Sequence, residues 1–312
     1  MSFDGHYWTI RSRLLAKEPA DFPATRPWTA ELQDARAGAV QVCGRLSQPA
    51  EASTLVILVH GLGGTIDSPY VREFHAGLHR AGLSVLALGL RGTSPDAVDF
   101  YNAGLTADLR TALESPVARD HARRVVVGFS LGGHVALALG IEGSPFLDGL
   151  VTVCSPLDLD ASRREIDRPR AFVYRRHVLS GLRRQYLRIA ANGGRVPTPP
   201  AQLEAVRTLY DYDRLTVVPR YGFRDPEDYY RRSSVGPRLE KLRVPTTLIF
   251  TSGDPMVPEH TVRPWLDRLP AGTIVDWHDR GGHLGFPPEV AKAVRRRMLE
   301  ACIGRPLDTA DA

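Results

Sequence analysis

Six short segments of this chain are apolar at nearly every position, and no other feature limits its fold as much. They are Leu55–His60 (LVILVH), Leu83–Leu88 (LSVLAL), Arg124–Phe129 (RVVVGF), Gly149–Cys154 (GLVTVC), Thr246–Thr251 (TTLIFT) and Gly272–Trp277 (GTIVDW). Successive side chains of a strand point to opposite faces, so a strand apolar throughout must be covered on both. Segments of helical periodicity separate the runs: Tyr70–Ala81, Thr106–Glu114, Gly132–Gly140, Pro264–Leu269 and Glu289–Cys302. Ser68-Pro69 offers the first of these an N-cap and a first-turn proline. Strand–helix alternation of this kind predicts a doubly wound, mostly parallel α/β sheet. Trp28–Ala35 and Ala39–Leu46, with the alternation Val40, Val42, Gly44, read as an antiparallel strand pair ahead of it.

One interval is too long for a crossover. Residues 157–243 separate two strand runs and contain helix-like text at Phe172–Ile189 and Leu203–Tyr212, broken by Pro197-Thr198-Pro199-Pro200. They read as an inserted helical cap over the C-terminal edge of the sheet, where open α/β sheets bind ligands. A structural elaboration without substrate contacts is the alternative. The expected organisation is therefore a core of residues 1–156 and 244–312 with a cap of residues 157–243.

At 312 residues the chain buries a core large enough to need neither disulfide nor metal staples. Its formal charge of +5 and pI of about 9.3 suggest a nucleic-acid partner, but the distribution of charge opposes one. Lysine occurs only at Lys17, Lys241 and Lys292, and arginines alternate with acids, as in Arg163-Arg164-Glu165-Ile166-Asp167-Arg168. A phosphate-tracking surface instead concentrates positive charge with little acid between. Cys43, Cys154 and Cys302 lie far apart and form no C-x-x-C pair, so neither a zinc site nor a disulfide framework is expected. Cys154, inside an apolar run, reads as a buried reduced thiol. Met1–His6 has an early acid and no apolar stretch, unlike a secretory leader. No apolar run approaches the ~18 residues of a membrane span. The expectation is a soluble, cytoplasmic protein.

Gly128-Phe129-Ser130-Leu131-Gly132 fits G-x-S-x-G. A serine on a sharp strand-to-helix turn sits in strained backbone, and side chains at the flanking glycines would collide with the strand and helix. The pattern alone is weak, because its residues are common. Its setting adds weight: Val125-Val126-Val127 leads in and His134–Leu139 leads out as helix. Such a serine needs a base and an orienting acid. His283, preceded by Gly281-Gly282 after the last strand run, is the candidate base, the glycines letting its loop reach across. His6, His75, His79 and His121 read as surface-loop histidines. Asp254, in Gly253-Asp254-Pro255, ends the preceding strand run and is the candidate acid. Asp158 or Asp160 is the alternative, although Asp158 also reads as a helix cap. His60-Gly61-Leu62-Gly63-Gly64 follows a strand directly, and its glycines would let amides point inward. Leu62 N–H and Leu131 N–H are the candidate oxyanion donors.

Taken together, these residues resemble the YheT-like α/β-hydrolases, a branch that includes plant embryogenesis-associated hydrolases. The resemblance runs from about Leu55 to Phe286 through His60–Tyr70 (HGLGGTIDSPY), Phe100–Arg110 (FYNAGLTADLR), Ser155–Leu159 (SPLDL), Tyr229–Ser234 (YYRRSS), Asp254-Pro255 and Gly281–Phe286 (GGHLGF). It implies the α/β-hydrolase fold and a triad of Ser130, Asp254 and His283 with esterase-like or lipase-like activity. No metal or organic cofactor is implied. The expected partner is a small-molecule acyl ester, in an apolar pocket lined from the cap by Phe172, Tyr174 and Tyr186. Two positions depart from the family's pattern. Gly253 stands where the first of two acids is usual, and Gly89-Leu90-Arg91-Gly92 lacks an asparagine, which bears on a pocket wall. Acyl transfer, peptidase or lactonase chemistry would use the same triad. A binding module that keeps the fold without turnover is a reading of another class.

Overall fold

The computed structural model describes residues 3–14, 19–194 and 196–307; Met1, Ser2 and Lys17, used above, lie outside them. Eight strands form one sheet: β1 (Arg26–Asp34), β2 (Gly38–Ser47), β3 (Thr54–Val59), β4 (Ser84–Gly89), β5 (Arg123–Phe129), β6 (Gly149–Val153), β7 (Thr246–Thr251) and β8 (Ile274–His278). Their spatial order is β1-β2-β4-β3-β5-β6-β7-β8. β2 runs antiparallel to both β1 and β4, and every other neighbouring pair is parallel. The six apolar runs and the leading pair all became strands, with ends shifted by a residue or two.

β3, β4, β6 and β7 are buried at every position. Leu55, Ile57 and Val59 of β3 belong to one core cluster, and Val56 and Leu58 to the other. Helices Pro69–Arg80 and Pro288–Ile303 cover the second face through Phe74, Leu78, Val294 and Met298. Helices Ala107–Glu114 and Leu131–Glu142 cover the first through Leu109, Leu113, Val135 and Leu139. Each such side chain contributes about 1.5–3 kcal/mol on burial, which is why both faces stay apolar. Among the described residues, no helix is long and apolar enough to cross a membrane.

Some local expectations are corrected. The Ser68 hydroxyl does not cap the helix after it but accepts Thr65 N–H at 3.1 Å. Pro264–Leu269 forms 3₁₀ turns over Arg263–Arg268. Between β6 and β7 the insertion contains helices Leu159–Asp167, Phe172–Ala191, Leu209–Leu215, Val217–Tyr221 and Pro226–Ser233. Leu203–Tyr212 is not one helix: Thr208 Oγ1 accepts Asp211 N–H at 3.0 Å and starts a new one at Leu209. Helix Phe3–Leu14 was not anticipated at all.

Arg91 ties these layers together. Its side chain is 1% exposed. Nε and Nη2 donate to Asp108 Oδ1 at 2.9 and 2.7 Å, and Nη1 donates to Asp34 at 2.8 Å and Asp99 at 3.1 Å. Arg220 of the insertion grips Asp99 through two further bonds of 2.7 Å. Burial pushes the Asp34 carboxyl up, but hydrogen bonds from Arg91 and the amides of Ala37 and Arg36 outweigh it and leave the pKa at about 2. The Gly89–Gly92 segment therefore does not wall the cleft described below; it joins β1, the sheet and the insertion. Replacing Arg91 by Met would strand Asp108 in the core without its cation. The expected cost is about 3–5 kcal/mol, read as a lowered urea midpoint; an unchanged midpoint would show that the network holds nothing together.

Candidate active site

β5 leads directly into Ser130, whose φ of 50° and ψ of −121° fall where side-chain-bearing residues seldom go. The strain, of order 1–3 kcal/mol, is held from both sides. Ser130 N–H donates to Val153 O at 2.9 Å, and Ser130 O accepts the amides of Gly133 and His134 at 3.0 and 3.2 Å. A Cβ on Gly128 would lie 2.4 Å from Gly133, and one on Gly132 2.4 Å from Val59 O. Both flanking glycines are thus required for space.

Asp254 follows β7 and His283 follows β8. The structure brings both to Ser130: His283 Nε2 is 3.0 Å from Ser130 Oγ, and His283 Nδ1 is 2.8 Å from Asp254 Oδ2. A carboxylate only accepts, so Nδ1 carries the proton and Nε2 is left to receive the serine's. Asp254 Oδ1 accepts the amides of Met256 and Val257 at 2.8 and 2.9 Å, which fixes the carboxylate plane. Asp158 caps its helix through Ala161 N–H at 2.9 Å, and Asp160 pairs with Arg163 and Arg164. Neither is bonded to His283.

Cys154, just past β6, brings its sulfur within 4.8 Å of donor atoms of Asp254 and His283. The trio suits hydrogen bonding better than a metal. Burial, and then the charge of Asp254, hold the thiol well above its ordinary range. His283 Nδ1 and both Asp254 oxygens are already engaged.

The loop after β3 presents amides to the same place. Gly61 N–H donates to the Tyr70 hydroxyl and Gly63 N–H to the Tyr101 hydroxyl, each at 2.8 Å. Leu62 N–H between them, and Leu131 N–H at the start of the next helix, donate to no acceptor among the described residues. Tyr101 and Tyr70 escaped the sequence reading as functional candidates, although both lie in blocks that carry the resemblance, Phe100–Arg110 and His60–Tyr70. His60 anchors the loop through Nδ1 to Gly61 O at 2.8 Å, and its Nε2 accepts Leu90 N–H at 3.3 Å.

All four groups face a cleft of about 1320 Å³, lined by Ser130, His283, Leu62 and Leu131 and, from the insertion, by Tyr174 and Leu182. Two of the three expected cap residues are elsewhere. Tyr186 is fully buried and does not line the cleft; its hydroxyl is bonded to Thr198 O and N at 2.8 and 2.9 Å. Phe172 is 57% exposed; two residues from Tyr174, it is turned about 200° around the helix axis. The histidines read as surface residues also need correction. His75 is 1% and His121 5% exposed, each bonded at 2.8 Å to a buried serine, Ser47 and Ser84 respectively.

Burial lowers the His60 pKa to about 4, whereas an unfolded histidine titrates near 6.5. The unfolded chain takes that proton first, so the His60 contribution is intact above pH 6.5. It is lost as pH falls towards 4, by about 3 kcal/mol in all. Burial likewise lowers His75 to about 4 and lowers His134, so urea unfolding between pH 7 and 4.5 should show the sum of these losses, and His60→Asn should make the slope shallower without abolishing it. An equal slope in the variant would assign the loss to other groups.

Residues 56–297 match the Alpha/beta hydrolase family. The candidate esterase YheT of Escherichia coli (strain K12) is 32% identical over 248 residues, 76% of this chain and 72% of that protein. The medium-chain fatty acid ethyl ester synthase/esterase 2 of Saccharomyces cerevisiae is 26% identical over 305 residues, 87% of this chain and 64% of that one; the chain thus spans less than two thirds of the yeast protein. The solved Pyrococcus furiosus esterase Pf2001 has the same fold, with a TM-score of 0.60 at 16% identity over 90% of this chain and 93% of that one. The fold, the match over most of the chain and the Escherichia coli relative together make this chain a member of the α/β-hydrolase family, in its YheT-like branch.

Proposed function

We propose that the chain hydrolyses carboxylic esters through an acyl-enzyme on Ser130. The observation that carries this reading is the hydrogen-bonded line Asp254–His283–Ser130, at 2.8 and 3.0 Å, opening on the cleft. Ser130 Oγ attacks the ester carbonyl while His283 Nε2 takes its proton. The carbonyl oxygen becomes an oxyanion, which the amides of Leu62 and Leu131 receive, each worth about 3–4 kcal/mol in such a role. Collapse expels the alcohol, which takes the proton from Nε2. Water then attacks the acyl carbonyl, gives a proton to Nε2, and Ser130 departs with that proton as the acid is released. Asp254 keeps the imidazole in the working tautomer and stabilises the imidazolium. In the same reading residues 157–243 are a cap on the core of residues 1–156 and 244–312, and Tyr174 and Leu182 mark where an acyl chain would lie.

Fluorophosphonate should label the wild type at Ser130, as mapped by mass spectrometry, and leave Ser130→Ala unlabelled. The same substitution should lower kcat by about 10⁵–10⁶-fold, and Asp254→Asn by about 10⁴-fold. A folded wild type that resists the reagent would bring the binding-module reading forward. Medium-chain esters should turn over faster than acetyl esters, and a profile peaking at acetyl would reject the apolar pocket.

Acyl transfer to an alcohol is the second reading, favoured by the name of the yeast relative, which couples synthase with esterase. Counting ester against acid product in the presence of ethanol separates the two.

A further inference from the structure

Helix Phe3–Leu14 lies outside the family match, which begins at residue 56. It nevertheless packs by its backbone against both loops that carry Asp254 and His283. A Cβ on Gly5 would sit 1.7 Å from Gly253 O, one on Gly282 2.1 Å from Gly5 O, and one on Gly285 2.2 Å from Trp8 O. Of Gly281, Gly282 and Gly285, only Gly281 has positive φ. Gly282 and Gly285 therefore serve close approach by this helix, not reach of the histidine loop.

At the centre of the contact, Thr9 Oγ1 accepts the backbone N–H of His283 at 2.7 Å and donates its own proton to Gly5 O at 2.7 Å. The hydroxyl is thus oriented by its helix and offers a lone pair to the loop. Asp4 Oδ2 accepts Gly281 N–H at 3.3 Å, and Trp8 Nε1 donates to Asp4 Oδ1 at 2.9 Å. On the other side His6 Nδ1 lies 2.6 Å from the Tyr174 hydroxyl, with the two rings stacked. The helix therefore bridges the histidine loop and the insertion, and Trp8 and Ile10 line the cleft.

We infer that Thr9 is a positioning residue for His283, its hydroxyl holding the loop so that Nε2 stays in line with Ser130 Oγ. The inference rests on the hydrolase reading for its kinetic consequence and on geometry alone for its structural one. Thr9→Val keeps the shape and removes the acceptor; Thr9→Ser keeps the acceptor. In the full chain, Thr9→Val should lower kcat about 10–100-fold, as loop misplacements of about 1 Å do. KM on a p-nitrophenyl ester should stay within about twofold, the melting temperature should fall by no more than a few degrees as the His283 N–H loses its acceptor, and Thr9→Ser should recover most of the rate. The downfield proton NMR signal of His283 Nδ1–H should broaden in Thr9→Val and return in Thr9→Ser. That second readout needs no turnover, so it decides the matter even where fluorophosphonate fails to label the wild type and the hydrolase reading falls. An unchanged signal in Thr9→Val would overturn the inference, as would a kcat within twofold of wild type or a Thr9→Ser no faster than Thr9→Val.

Discussion

A parallel sheet covered on both faces leaves its strand ends as the only places where polar groups can gather without breaking the core. In this chain β3, β4, β6 and β7 have no exposed position, so chemistry is forced to the edge where these strands stop. Leu62 follows β3, Ser130 follows β5, Cys154 follows β6, Asp254 follows β7 and His283 follows β8. Each lies within a few residues of its strand's end. Parallel pairing brings those ends side by side, which is how residues remote in sequence come within hydrogen-bond reach.

The strain at Ser130 has meaning only in that frame. A positive φ at a residue with a side chain persists when neighbours over-determine it. Here three backbone hydrogen bonds and two glycines that admit no Cβ do so. Val153 O, which accepts Ser130 N–H, belongs to β6, so the elbow is braced by the sheet as well as by its own helix. The Arg91 network acts on a larger scale. A buried cation shared by Asp34, Asp99 and Asp108, with Arg220 on Asp99, fixes the insertion relative to β1 and the core.

The sheet and the three proposed catalytic side chains were legible because their signals are local: apolar runs, a glycine-framed serine, an aspartate and a histidine just past strands. What escaped the sequence depends on partners far along the chain. His75 and His121 look like ordinary polar residues until Ser47 and Ser84 are seen to satisfy them. Arg91 reads as a change in a loop block until three carboxylates surround it. Phe172 and Tyr186 have the composition of a pocket, but which side of a helix faces the cleft depends on what packs behind it. Helix Phe3–Leu14 has no strong apolar stripe to announce it. It docks through backbone and polar contacts, and the glycines that receive it were legible only as flexibility.

The electrostatic character of the site follows from burial acting in one direction on several groups. Desolvation favours neutral forms. It raises the Tyr70 and Tyr101 hydroxyls, lowers the His60 ring and raises the Cys154 thiol. Neutral tyrosine hydroxyls remain good acceptors for Gly61 and Gly63 N–H, and neutral His60 holds the loop without bringing charge near it. Every amide flanking Leu62 is thus occupied by a group that does not titrate in the working range. The Leu62 and Leu131 amides, which meet no acceptor among the described residues, are set by covalent spacing and not by a competing ion, and in the proposed mechanism they would keep the same orientation before and after a charge develops beside Ser130. Fixed dipoles of this kind need no reorganisation when an oxyanion forms. In the proposed mechanism the surrounding residues would thereby leave the proton traffic to Ser130 and His283.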